Sequence, residues 1–223
     1  MQMADLGDVT LHYDLSGPED GPALVFANSL GCDFRLWDAL LPHLPPSLRL
    51  LRYDKRGHGL SSCPAGPYSM GALVRDAEKL LDHLGLSEVV FVGLSIGGMI
   101  AQGLAVKRLD LVRGLVLSNT AAKIGQPAMW EERIAAVRAG GIEALADATM
   151  ERWFSRSFRA TPGLPGLAPH ADPPAGRGLC RLHGGDLGHR FLYPHLRPAP
   201  AHPGHRRQRT ARPRPTWCAK PPI

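Results

Sequence analysis

Cysteine is scarce in this chain: Cys32, Cys63, Cys180 and Cys218 are irregularly spaced and form no C-x-x-C pair. That pattern excludes the common zinc and dithiol redox motifs and the dense framework of a short disulfide-stapled domain, so a reducing compartment is expected. Long apolar runs are missing too, which argues against a membrane-spanning helix and a membrane partner. Met1-Gln2-Met3-Ala4-Asp5 has no basic stretch leading into an apolar one, so a soluble, cytoplasmic protein is expected. Most of the chain also lacks an excess of one charge. The formal net charge is +6 over 223 residues, yet residues 1–165 hold 16 Lys+Arg against 18 Asp+Glu, and residues 166–223 hold 10 against 2. The basicity belongs to the tail alone, and the first part is an ordinary globular sequence long enough to bury a substantial core.

The tail has its own absences. Val and Met do not occur in residues 166–223, where Pro, Arg, Gly and Ala make up 34 of 58 residues. Such a segment cannot bury enough apolar surface to offset its conformational entropy, so disorder is expected there. These four residue types have codons that can begin with G and C alone, as an out-of-frame read of a GC-rich gene would produce, and a frameshift near Pro165 is the expected origin. A binding role is the alternative for the tail. Arg206-Arg207-Gln208-Arg209 offers charge to nucleic acid, and Pro200-Ala201-His202-Pro203 has the PxxP pattern. A solvated tail explains the composition more simply, so nucleic acid is not the expected partner.

What is present in the first 120 residues is an alternation of strand-like and helix-like segments, the mark of an α/β architecture with a largely parallel sheet. Val9 to Tyr13 alternates like a half-exposed strand, while Leu24 to Ala27 and Leu48 to Tyr53 read as buried strands. Phe34 to Leu44 reads as a short helix ended by Pro45 and Pro46. Met70 to Leu84 places Leu73, Ala77, Leu80, Leu81 and Leu84 on one helical face. Val89 to Val92, Gly98 to Lys107 and Val112 to Leu117 continue the rhythm as strand, helix and strand. Beyond Asn119 it changes to two helical stretches, Ala128 to Ala139 and Ile142 to Phe154.

The chemistry centres on Gly93-Leu94-Ser95-Ile96-Gly97, which follows a buried strand and opens a helix, the setting of a nucleophile elbow. A serine hydroxyl is a poor nucleophile at neutral pH and needs a base beside it and donors for the oxyanion it creates. Ser95 is the expected nucleophile and the Ile96 N–H one oxyanion donor. The second donor is expected from the loop Asn28-Ser29-Leu30-Gly31, by position the Leu30 N–H. Tyr53-Asp54-Lys55-Arg56-Gly57-His58-Gly59-Leu60-Ser61 looks chemical as well. A structural role is preferred for it, with Asp54 and Arg56 bonding loop backbone and Gly57 and Gly59 permitting the turn. His12, His43 and His83 are read as solvated or packing residues.

These motifs, in this order, resemble the α/β-hydrolase superfamily, and more narrowly the 3-oxoadipate enol-lactonases of aromatic-compound degradation in the β-ketoadipate pathway. The likeness is carried by Phe26 to Gly31, Arg52 to Ser61, Gly93 to Ala101, Asn119 to Gly125 and Glu151-Arg152-Trp153-Phe154. It implies an α/β-hydrolase core over residues 1–125, a helical cap segment over 126–165, and a tail over 166–223 in place of the last strands. It also implies a lactone or ester substrate whose carboxylate meets a cap cation, Arg133 or Arg152, with Trp130 or Trp153 closing the site. No cofactor is expected, because an activated serine needs none. Family members carry the acid and the base of the triad on their last strands. The tail supplies only Asp172, Asp186, His189 and His205 without strands to hold them, so an inactive or unstable chain is expected. Another carboxylesterase or a haloperoxidase-like hydrolase of the same fold is the alternative.

Overall fold

The computed structural model describes residues 2–160, Pro67 excepted. The tail at 166–223, its expected disorder, and Asp172, Asp186, His189 and His205 lie outside the described residues. Six strands form one sheet: β1 (Gln2–Asp5), β2 (Thr10–Ser16), β3 (Ala23–Ala27), β4 (Arg49–Tyr53), β5 (Val89–Leu94) and β6 (Val112–Ser118), in the order β1-β2-β4-β3-β5-β6. β1 and β2 run antiparallel to each other and β2 antiparallel to β4, whereas β4, β3, β5 and β6 run parallel. The parallel half needs crossovers. They are supplied by α1 (Met70–His83) between β4 and β5 and α2 (Ile96–Lys107) between β5 and β6.

Strand periodicity sorts the core into two faces. Val25, Leu51, Val89 and Phe91 meet Leu73, Ala77, Leu80 and Leu81 of α1 and Ile100, Ala101 and Leu104 of α2 in the larger cluster. Their alternates Phe26 and Val92 join Trp37 and partly buried Leu24, Leu50 and Leu94 in a smaller one on the other face. α1 begins where the Ser69 side chain accepts the Ala72 N–H, satisfying one of the free donors of a helix start. Its apolar stripe then turns toward the sheet.

Two expectations are corrected, and β1 is a strand that none foresaw. β1 gave no periodic signal, since only Ala4 of its four residues is buried. The segment Phe34 to Leu44 forms two 3-10 turns, Phe34–Trp37 and Leu41–His43, and no α-helix. Pro42, within the second turn, lacks the N–H an α-helix would need there and crowds the preceding turn. α2 begins at Ile96, two residues before the expected Gly98.

After β6 the chain forms α3 (Pro127–Gly140), α4 (Ala146–Trp153) and the single turn α5 (Arg156–Arg159). Trp130 and Ile134 of α3 pack on the larger cluster. β6 ends the sheet and among the described residues pairs with β5 alone. Leu115 and Leu117 on one face of it and Val116 on the other remain 38%, 45% and 49% exposed. No helix among the described residues is long and apolar enough to cross a membrane.

Candidate active site

Ser95 sits between the end of β5 and the start of α2 with φ 56° and ψ −117°, a conformation that side-chain-bearing residues rarely hold. Surrounding bonds impose it. The Ser95 N–H donates to the Ser118 carbonyl at 3.0 Å, and the Ser95 carbonyl accepts the Thr120 hydroxyl at 2.6 Å and the Gly98 N–H at 3.0 Å. Two glycines make the turn possible. A Cβ on Gly93 would lie 2.4 Å from the Gly97 carbonyl oxygen, and one on Gly97 would lie 2.0 Å from that of Ala27. The second contact matters for chemistry because it presses the elbow against the end of β3. β3 and β5 are parallel neighbours with Ala27 opposite Gly93, so the Asn28 to Gly31 loop and the Ser95–Ile96 turn emerge side by side. In open α/β sheets ligands bind in this crevice, beyond the carboxyl ends of the strands.

Two of the N–H groups there have no acceptor among the described residues. The Ile96 N–H opens α2, where no intrahelical acceptor exists. In the facing loop, the Gly31 N–H donates to His58 Nε2 at 3.1 Å and the Cys32 N–H to the Ser29 carbonyl at 3.3 Å. The Leu30 N–H makes no hydrogen bond among the described residues.

The charged loop after β4 lies beneath this one. His58 Nδ1 donates to the Arg56 carbonyl at 3.0 Å while Nε2 takes the Gly31 N–H, which sets the tautomer and leaves no lone pair for a base. Burial, and then the Lys55 charge, lower its pKa to about 3. Asp54 accepts the Phe34 N–H at 2.8 Å and the Leu60 N–H at 3.2 Å, and its Oδ2 meets His12 Nδ1 at 2.8 Å. Burial raises the Asp54 pKa, against the pull of His12. Gly59 is required here, since its Cβ would fall 1.9 Å from Asp54 Oδ2. Arg56 departs from expectation. It bonds no loop backbone but binds Asp76 of α1 through Nε and Nη2, both at 2.5 Å, and Asp8 through Nη2 at 3.0 Å. Its planar fork matches a carboxylate, and a buried Asp76 would be costly unpaired. His12 is likewise no solvated residue but a buried partner of Asp54.

Of the four residues expected to meet substrate, Trp130 and Arg133 come together. The Arg133 guanidinium lies 5.8 Å from the Trp130 ring centre, and Trp130 Nε1 donates to the Ile124 carbonyl at 3.0 Å. Burial lowers the Arg133 pKa, and the charge of Arg152 lowers it further. Among the described residues neither arginine has a carboxylate partner. Trp153 is turned outward and meets the Phe154 ring edge-on. Sequence reasoning missed Thr120, whose hydroxyl braces the elbow, and Lys55, which is fully buried. Only the carbonyl-rich loop placed over Lys55 tells it from a surface lysine. No group of three or more His, Cys, Asp or Glu among the described residues is placed to hold a metal ion.

A glycine-flanked serine on a strained strand-to-helix turn, at the ends of parallel strands, is the arrangement of the α/β-hydrolase fold. The chain belongs to the alpha/beta hydrolase fold family, which matches residues 22–140. It is 39% identical over 151 residues to 3-oxoadipate enol-lactonase 2 of Acinetobacter baylyi, covering 68% of this chain and 57% of that one. It is 36% identical over 149 residues to 3-oxoadipate enol-lactonase 1 of the same organism, covering 67% and 56%. The chain thus spans a little over half the length of these relatives. The crystal structure of the enol-lactonase from Burkholderia xenovorans LB400 is similar in fold, with a TM-score of 0.72 at 35% identity over 80% of this chain and 72% of that one.

Proposed function

We propose that this chain carries the nucleophile-bearing part of a serine hydrolase that opens an enol-lactone, with 3-oxoadipate enol-lactone as the favoured substrate. The observation that carries the reading is Ser95 at φ 56° on the β5–α2 turn, beside the loop that presents the Leu30 N–H. Identity of 36–39% to two enol-lactonases narrows the substrate class. In this reading Ser95 Oγ attacks the lactone carbonyl, and the N–H groups of Leu30 and Ile96 receive the oxyanion. Collapse of the adduct breaks the ring C–O bond and expels an enolate, which is protonated to the ketone. Water then attacks the acyl group, releasing the acid and restoring Ser95. A leaving group stabilised as an enolate needs little general acid help.

The helical segment from α3 to α5 acts as part of a cap, where the half-buried Arg133 meets the substrate carboxylate with Arg152 adding charge. Trp130 forms the apolar wall, and Trp153 lies farther out. The reaction requires no cofactor and fits a cytoplasmic enzyme. Among the described residues no base stands beside Ser95. Triad partners follow the serine in chain order as acid and then histidine. Among the described residues Ser95 Oγ has no histidine partner, and His12 and His58 are committed elsewhere. Turnover by this chain is therefore expected only at the level that oxyanion binding sustains, about 10³–10⁴ over water. The test is to incubate the full chain with a fluorophosphonate, locate the adduct by mass spectrometry, and compare turnover of the enol-lactone with that of an aryl acetate. An adduct at Ser95 with preference for the lactone is expected. Preference for the aryl ester would favour a general carboxylesterase, and labelling elsewhere would refute the nucleophile assignment.

A further inference from the structure

Lys55 is a fully buried cation that no step above uses. Its ammonium donates to the carbonyl oxygens of Asn28 and Ser29, each at 3.0 Å. The Ser29 carbonyl belongs to the same planar amide as the Leu30 N–H, and in a trans amide the two point in opposite directions. Holding that oxygen against Lys55 therefore directs the Leu30 N–H away from Lys55. A cation on the carbonyl also draws electron density from the amide nitrogen, making its N–H a stronger donor. The neighbouring N–H groups are diverted, Gly31 to His58 Nε2 and Cys32 to the Ser29 oxygen, which leaves Leu30 as the amide the loop presents.

From this arrangement we infer that Lys55 is a positioning residue of the oxyanion site, orienting and polarising the Ser29–Leu30 amide from beneath while His58 takes the adjoining N–H. The inference rests on the serine hydrolase reading for its purpose, but the coupling of Lys55 to the amide is separable from it. Burial lowers the Lys55 pKa to about 8, opposed by Cys32, Asp54 and Asp33, and the Lys55 charge in turn depresses His58. Of these neighbours, burial raises the Cys32 thiol to about 11 and lowers His58 to about 3. Neither changes charge near pH 8.

The test sets the full chain beside its Lys55→Met variant. In the full chain labelled with ¹³C and ¹⁵N, carbon-detected spectra correlate the Ser29 carbonyl with the Leu30 nitrogen and can be followed from about pH 6.5 to about pH 9.5, the range bracketing a depressed lysine. Both resonances are expected to move together with a midpoint of about 8, and to be flat in Lys55→Met. The labelling rate of Ser95, taken relative to that in Lys55→Met at each pH, should fall in the same window by about tenfold, less than the loss from deleting an oxyanion donor outright. If the Ser29–Leu30 resonances do not titrate in the unsubstituted chain, or titrate equally in Lys55→Met, the inference is overturned. If they titrate as expected while fluorophosphonate labels a residue other than Ser95, the coupling stands and the nucleophile assignment is what fails.

Discussion

Replacing Ser95 by glycine should stabilise the fold while abolishing its chemistry. At φ 56° and ψ −117° a residue with a Cβ carries strain of about 1–3 kcal/mol, which glycine does not. Against this, glycine makes the unfolded chain more flexible, at a cost of about 0.5–1 kcal/mol. The Ser95 side chain caps no helix N–H, so losing the hydroxyl forfeits little. The net gain is about 1 kcal/mol, which for a domain of this size raises the melting temperature by about 2–4 °C. Ser95→Ala is the control, because it removes the hydroxyl and keeps the Cβ, and its stability should stay within about 0.5 kcal/mol of the parent. Urea unfolding of the three full-length chains, followed by tryptophan fluorescence, should rank Ser95→Gly above the other two, and both variants should resist fluorophosphonate. If Ser95→Ala gains as much as Ser95→Gly, or Ser95→Gly loses stability, the backbone is not strained by the elbow and the reasoning fails.

Gly97→Ala should act in the opposite direction. Its Cβ would lie 2.0 Å from the Ala27 carbonyl oxygen, so strand or helix must shift, destabilising the fold by about 3 kcal/mol in the same urea assay. A midpoint equal to the parent's would show that the elbow does not press on β3. For His58, a folded pKa of about 3 against an ordinary 6.5 means that below pH 6.5 the unfolded chain takes up a proton the buried ring does not. Its contribution is fully present above pH 6.5 and is lost as pH falls toward 3, with a limiting slope of about 1.4 kcal/mol per pH unit. His58→Gln should flatten stability against pH across that window, and an unchanged slope would place the titration elsewhere. Val116→Lys, on the exposed face of the unpaired β6 edge, should suppress self-association, since a charge on an open edge disfavours strand pairing between molecules. Equal light scattering from both chains at matched concentration would show that the edge is not the sticky surface.

Local patterns made much of this molecule legible. The buried strands at Leu24, Leu48 and Val89 and the Met70 helix followed from apolar periodicity, and the elbow followed from glycines flanking Ser95 between a strand and a helix. These signals are carried by neighbours within a few residues, where steric limits on the backbone act. The 3-10 turns were missed because one proline, Pro42, outweighed an apolar pattern that a helix could also have satisfied. The roles of Arg56, His12 and Lys55 were missed for a different reason. Their partners Asp76, Asp54 and the Ser29 carbonyl lie 20 to 42 residues away in the chain. A charged side chain shows its partner only once folding has removed water from both.

By itself the sequence determined most of the succession of strands and helices and the glycine-flanked turn at Ser95, because hydrophobic period and glycine placement act over a few residues. Tertiary structure alone decided that β3 and β5 stand side by side and that the loop after β4 lies under the loop after β3. It thereby decided that a lysine is buried beneath the Leu30 amide and that β6, among the described residues, pairs with β5 alone. Those outcomes depend on which distant segments exclude water from one another, a property of packing that no local pattern encodes.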